Sequence, residues 1–204
     1  MSITILIILV TVVTSIQGFN RPDFVYKYRF NAYAVSHKKQ WYRIFSSGFL
    51  HADWVHLGFN MLALYSFGRI IEEVFKEIFG EKMGMVNYAL LYVGGLAFSS
   101  LYSLAKHKNN SYYNALGASG AVSAVIFTSI LIDPGGMMRI YFIPMNSLVF
   151  GIVFLAFSYY MGKKNIDNIG HDAHFWGAIF GFIFPLFLQP LLWGHFLHEI
   201  QKIF

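Results

Sequence analysis

Cysteine is absent from the 204 residues, so neither a disulfide framework nor a thiolate metal site can be built. Charge is scarce. Asp, Glu, Lys and Arg make up 12% of the chain, against roughly 25% in ordinary globular domains. Acidic residues number 10 and basic ones 15, and the net charge of +5 is spread along loops rather than gathered into a stripe. With no other nucleic-acid signature, no nucleic-acid partner is expected. There is no internal repeat, no His-Glu-x-x-His pattern and no carboxylate inside the apolar runs that would complete a charged metal site. No cofactor and no metal are therefore expected.

What is present is apolar: 56% hydrophobic and 19% aromatic residues. The apolar runs predict an all-α membrane protein of one domain, residues 1–204, with helices at about 3–18, 54–75, 85–105, 116–132, 144–161 and 173–192. The first run has no basic segment before it and no small-x-small cleavage site, so it reads as a membrane span rather than a leader. Residues 19–48 form a long connection with Arg21, Lys27, Arg29, Lys38, Lys39 and Arg43 among many aromatic side chains, including Phe24, Tyr26, Tyr28, Phe30, Tyr33, Trp41 and Tyr42. A loop both basic and aromatic suits the headgroup layer, partly embedded in the membrane surface. The stretch 72–82 is charged and of mixed sign, a solvated helix end with a turn at Gly80. Pro144 fits the first turn of the fifth helix, and Pro185 predicts a kink in the sixth. Residues 163–172 form a polar connection, and 194–204 a short amphipathic tail.

Gly117-Ala118-Ser119-Gly120 stands where a polar loop meets the fourth apolar run. Small residues there allow close helix packing; a serine at a helix mouth also suits an activated nucleophile. Each span reverses direction, so helices two, four and six begin on the same side of the bilayer. Their first turns carry the polar residues: His56 and Asn60, Ser119, and His174. Ser119 lies 14 residues before Asp133, about 21 Å of helix, and His174 lies at nearly the same distance from its helix end. In a hydrocarbon core of about 30 Å the two share a depth. Ionisable residues at such depth are costly and mark function.

A serine hydroxyl needs a base, which a nearby histidine supplies. The resulting oxyanion needs donors, and a helix N-terminus offers backbone N–H groups and a positive dipole end. His56 and Asn60, four apart, share one helix face. Gly177 and Gly181 follow His174 on its own face and let helix six press on helix four. His171, one turn earlier, is the rival base.

These residues resemble the rhomboid family of intramembrane serine proteases. The likeness rests on Gly117-x-Ser119-Gly120, on Ala173-His174-x-x-Gly177-x-x-x-Gly181, and on His51-x4-His56-x3-Asn60. Trp41-x-Arg43 and Gly68-x-x-x-Glu72 extend it, so that it spans about residues 41–181 in the right order. The resemblance implies a six-transmembrane-helix rhomboid-like bundle around a water-filled cavity. It implies Ser119 as nucleophile and His174 as general base, with His56, Asn60 and the Ser119 backbone N–H as oxyanion hole. The implied substrates are transmembrane segments of other membrane proteins, and the implied place is a cell (inner) membrane with the active site opening outward. Loop charge runs against that orientation, with ten Lys and Arg on the outer side and five on the inner. Ser123 stands where many family members carry an aromatic residue supporting the histidine ring. Two other readings use the same residues: a catalytically inactive rhomboid-like binder of membrane segments, and a His-based metal-binding membrane protein built on His51, His56, His171 and His174.

Overall fold

The computed structural model describes residues 2–140, 143–164 and 169–203. Helix α1 (Ile3–Asn20) is followed by α2 (Pro22–Tyr28), β1 (Phe30–Asn31), α3 (Ala32–Lys38) and α4 (Arg43–Ser46). Then come α5 (Trp54–Ala63) and α6 (Arg69–Phe79), joined without a break by a π-helical turn at Leu64–Gly68. Helix α7 (Glu81–His107), β2 (Asn114–Ala115) and α8 (Ser119–Ile132) complete the centre. Strands β3 (Met137–Ile140) and β4 (Ile143–Asn146) lead into α9 (Ser147–Lys164), α10 (His171–Leu188) and α11 (Leu191–Gln201). Part of the polar connection expected at 163–172, residues 165–168, lies outside the described residues, as do both terminal residues.

Among the described residues, α1 and α7 are each long and apolar enough to cross a membrane, and α10 with α11 qualifies as a pair bent by 118°. Pro144 is not in a helical first turn. It pairs with Arg139 in the antiparallel β3–β4 ladder, and α9 starts three residues later at Ser147. Proline's fixed φ suits a strand edge as well as a helix start, so the residue alone does not choose between them. The sixth helix likewise ends at Leu188, before Gln189-Pro190, because the residue preceding proline is pushed out of helical conformation.

Helix α8 is the axis of the fold. Ten of its 14 residues are buried, and a helix apolar all round belongs inside a bundle. Its neighbours approach through small residues. Gly95 of α7 lies against Ala121 and Ala124, and Gly120 against Ser99. A Cβ at Gly177 of α10 would overlap the Gly120 carbonyl, and one at Gly181 would overlap the backbone of Ala124. The Thr128 hydroxyl donates to the Gly181 carbonyl at 2.7 Å. At 14 residues, α8 is about 21 Å long, shorter than a hydrocarbon core of about 30 Å.

The charged stretch after α5 is not solvated throughout. Glu72 is buried, not solvated. Its carboxylate accepts from the Ser2 hydroxyl at 2.7 Å, the Ile3 N–H at 2.8 Å and the Thr4 N–H at 3.0 Å. A carboxylate at a helix N-terminus meets orphan donors and the positive end of the dipole. Gly68, one turn earlier, leaves room for the Tyr88 hydroxyl and Thr4, which are themselves hydrogen-bonded at 2.8 Å. Gly68-x-x-x-Glu72 thus locks α1 to α6 and α7.

Candidate active site

The first loop folds into short helices and pairs back onto the segment leading to Ser119. Phe30 and Asn31 pair with Ala115 and Asn114. The Asn31 amide donates to Ser111 O, Tyr113 O and Asn114 Oδ1, while its carbonyl oxygen caps α3 through the Ala34 N–H. Arg43 is buried and donates to the carbonyls of Tyr26 and Arg29 at 2.9 and 2.8 Å. It anchors the loop, whereas Trp41 is exposed.

Gly117 has φ +128°, a conformation that glycine alone adopts readily. It turns the chain from β2 into α8, its N–H donating to Ser47 O at 3.0 Å. The His56 ring packs on the bare face of Gly117, 2.8 Å from where a Cβ would stand. Ser119 opens α8 and is half-buried. Its N–H belongs to the first turn, whose donors have no acceptor within the helix.

His51 ties these parts together. The Ala118 N–H donates to its Nε2 at 3.3 Å, so Nε2 is unprotonated and Nδ1 carries the hydrogen, donating to Ser15 Oγ at 3.0 Å. Ser15 Oγ passes the chain to Phe49 O at 3.1 Å. The ring thus links α1 to the residue before Ser119. Burial, with the His56 ring beside it, pushes His51 down to about 3 from an ordinary 6.5. The unfolded chain therefore binds a proton that the folded chain refuses between those values, and this contribution to stability is full above pH 6.5 and lost on acidification toward 3. The expected slope is at most about 1.4 kcal/mol per pH unit. Thermal melts of the detergent-solubilised protein check it: the native chain should lose stability from pH 7 to 4.5, and His51→Gln should flatten that dependence.

A cavity of about 1290 Å³ brings His56, Asn60, Ser119 and His174 to one surface, together with Ser123, Phe154, His171 and Asp172. All four residues expected at the site line it. Gly177 against Gly120 sets the geometry, since Ser119 is next to Gly120 and His174 is one turn before Gly177. The Asn60 amide donates to the His56 carbonyl at 2.9 Å, on its own helix. Among the described residues no group of three or more His, Cys, Asp or Glu side chains is close enough to hold a metal ion.

Three contributors escape a reading by motif. Asp53 caps α5, its carboxylate accepting the His56 N–H at 2.8 Å. An Asp just before an apolar run is a helix-start signal that could have found it. Asp172 pairs with Lys106 at 3.0 Å and joins the cavity ends of α7 and α10. Phe154 of α9 has its ring centroid 6.0 Å from that of His174, and it packs on Phe127 of α8 at 5.6 Å. Phe157, nearly one turn on, meets His171 edge-on at 5.5 Å. The aromatic wall of the histidine thus comes from α9, opposite the small Ser123 of α8.

A family model described as the rhomboid domain matches residues 38–190, well over half of the chain. The chain is 30% identical over 143 residues to RHOMBOID-like protein 12, mitochondrial, of Arabidopsis thaliana, covering 66% of this chain and 43% of that protein. It is 28% identical over 154 residues to the human presenilin-associated rhomboid-like protein, mitochondrial, covering 72% and 38%. It is 29% identical over 142 residues to the rhomboid protease GluP of Bacillus subtilis, covering 69% and 25%. The chain thus spans less than half the length of these relatives.

Proposed function

This chain belongs to the rhomboid family, and from that premise we propose that it is an intramembrane serine endopeptidase cleaving transmembrane segments of other membrane proteins. One observation carries the reading: Ser119 and His174 line a single cavity, beside the close approach of Gly120 on α8 to Gly177 on α10. In the proposed reaction His174 takes the Ser119 proton as Oγ attacks the scissile carbonyl, and later returns it to the leaving amine. The Ser119 N–H, His56 and Asn60 receive the oxyanion; the Asn60 amide has two N–H donors, one held by the His56 carbonyl and the other left for the oxyanion. The dyad tightens when substrate excludes water, as catalytic hydrogen bonds commonly do. The substrate helix must unwind locally, because an intact helix buries its carbonyls in hydrogen bonds.

The proposed architecture is six membrane spans, with the cavity opening to the outer side of a cell membrane. An impermeant thiol reagent that reached Asn110→Cys only from the cytosol would reverse that orientation. The test of the chemistry is labelling by a fluorophosphonate in detergent, with the site located by mass spectrometry. A label on Ser119 is expected. The second reading, a binder that does not cut, is suggested by relatives named rhomboid-like rather than protease, and it would be left standing by an unlabelled Ser119 in folded protein.

Phe154 supplies a graded test of the same chemistry. Phe154→Ala frees the imidazole to rotate, and a loose catalytic group costs up to about 100-fold. The labelling rate of Ser119 is expected to fall by about 10- to 100-fold at a temperature well below the lowered melting point that loss of the Phe127 contact brings. Ser123→Tyr in that background should recover part of the loss, because residue 123 lines the same cavity one turn beyond Ser119. A double variant no faster than Phe154→Ala would show that the ring is held elsewhere.

A further inference from the structure

The last helix, α11, begins where the rhomboid match ends at residue 190. It leaves α10 at 118° across Gln189-Pro190. With α10 crossing the bilayer, such a turn lays α11 along the membrane surface. Its place is fixed by α8: His195 Nε2 donates to the Ile132 carbonyl at 2.7 Å. Ile132 ends α8, and Ser119 begins it, so α11 sits about 21 Å from the cavity, at the opposite leaflet.

At 100° per residue the side chains of α11 divide into three arcs. Leu192 and Phe196 are buried against Leu131, Ile132, Phe182 and Leu186. Trp193 and Leu197 occupy the next arc and are exposed, at 48% and 42%. His195, His198, Gln201 and Lys202 fill the far arc, all exposed, with Lys202 paired to Glu199 at 2.6 Å. The junction with α10 leaves Phe187 and Leu191 exposed at 82% and 78%. The exposed apolar surface of α11 therefore continues the exposed apolar surface at the end of α10. A tryptophan between a dry arc and a polar arc suits the headgroup boundary.

We infer that α11 is an interfacial helix, with Trp193 and Leu197 in the acyl–headgroup boundary of the leaflet away from the cavity and His198, Gln201 and Lys202 in water. Through His195 it caps the far end of the helix that carries Ser119. The inference stands whether or not Ser119 is a nucleophile.

The absence of cysteine makes the test direct. Single variants Trp193→Cys, Leu197→Cys, His198→Cys and Gln201→Cys carry a nitroxide in phosphatidylcholine–phosphatidylglycerol vesicles. Collision rates with oxygen, which concentrates in lipid, and with a water-soluble nickel chelate are compared. Labels at 193 and 197 are expected to favour oxygen, and those at 198 and 201 nickel, by several-fold. Equal nickel access at all four positions would place the helix in water and overturn the inference. Access to neither reagent at 193 and 197 would mean a protein partner and overturn it too. A label-free check covers a disturbed Trp193: brominated lipids should quench the native chain more than Trp193→Phe, and equal quenching would count against the inference.

Discussion

His174→Ala is expected to lower the rate at which a fluorophosphonate labels Ser119 by about 10²- to 10⁴-fold, the range contributed by a positioned general base. His171→Ala should leave it within about tenfold. Both histidines line the cavity, and their ring centroids lie 5.8 Å apart. Position along α10 separates them. Gly177 is in contact with Gly120, and a Cβ on Gly120 would stand 3.4 Å from the Ala173 carbonyl. Residues 173–177 are thus the turn of α10 that meets the start of α8. His171 lies farther out, buried edge-on against Phe157 of α9. Labelling rates measured by intact mass, with the site confirmed on the tryptic peptide, decide the matter. A normal rate in His174→Ala and a collapsed one in His171→Ala would exchange their roles; equal losses in both would point to a disturbed α10 rather than to a base.

Much of the candidate site was legible because its parts are local patterns. The spacing of His56 and Asn60, the small residues around Ser119, and the His174–Gly177–Gly181 register each report one face of one helix. The cavity brings those faces together. Residues whose partners lie far along the chain were not legible. Glu72 sits in a mixed-charge stretch that reads as solvated, and only the return of α1, 70 residues away from it at Ser2, makes it a buried cap. Phe154 lies in an apolar helix without a polar face, where no period marks which aromatic turns inward. Nothing local separates a strand from a helix start at Pro144. By contrast, the break before Pro190 carried a signal, since the backbone of Gln189 had reason to leave the helix. Reading the sixth helix through to residue 192 put the start of α11 into it and left the rest as the amphipathic tail at 194–204.

The largest loss of stability is expected from Gly181→Leu, with Gly177→Val close behind. At Gly181 the obstacle is the Ala124 backbone, and at Gly177 the Gly120 carbonyl. Backbone atoms of a buried helix cannot swing aside as a side chain does, so α10 must move off α8 as a whole. Overpacking costs about 1–3 kcal/mol where neighbours relax, and more where they do not. A shift of α10 would also lengthen the 2.7 Å hydrogen bond from Thr128 to the Gly181 carbonyl. Two other glycines calibrate the effect. A Cβ at Gly151 of α9 meets the tip of the Ile130 side chain at 3.1 Å, so Gly151→Ala should cost less than about 1 kcal/mol. Gly58 of α5 has nothing within 4 Å, and Gly58→Ala should stabilise by up to about 1 kcal/mol through helix propensity. Gly177→Ala is the informative intermediate. A single methyl against the Gly120 carbonyl opens the crossing where His174 meets Ser119, so its labelling rate should fall further than its melting temperature implies. Melting temperatures and labelling rates for the set separate the cases. If Gly177→Ala behaved like Gly151→Ala in both, the Gly120–Gly177 contact would not be what brings the histidine to the serine.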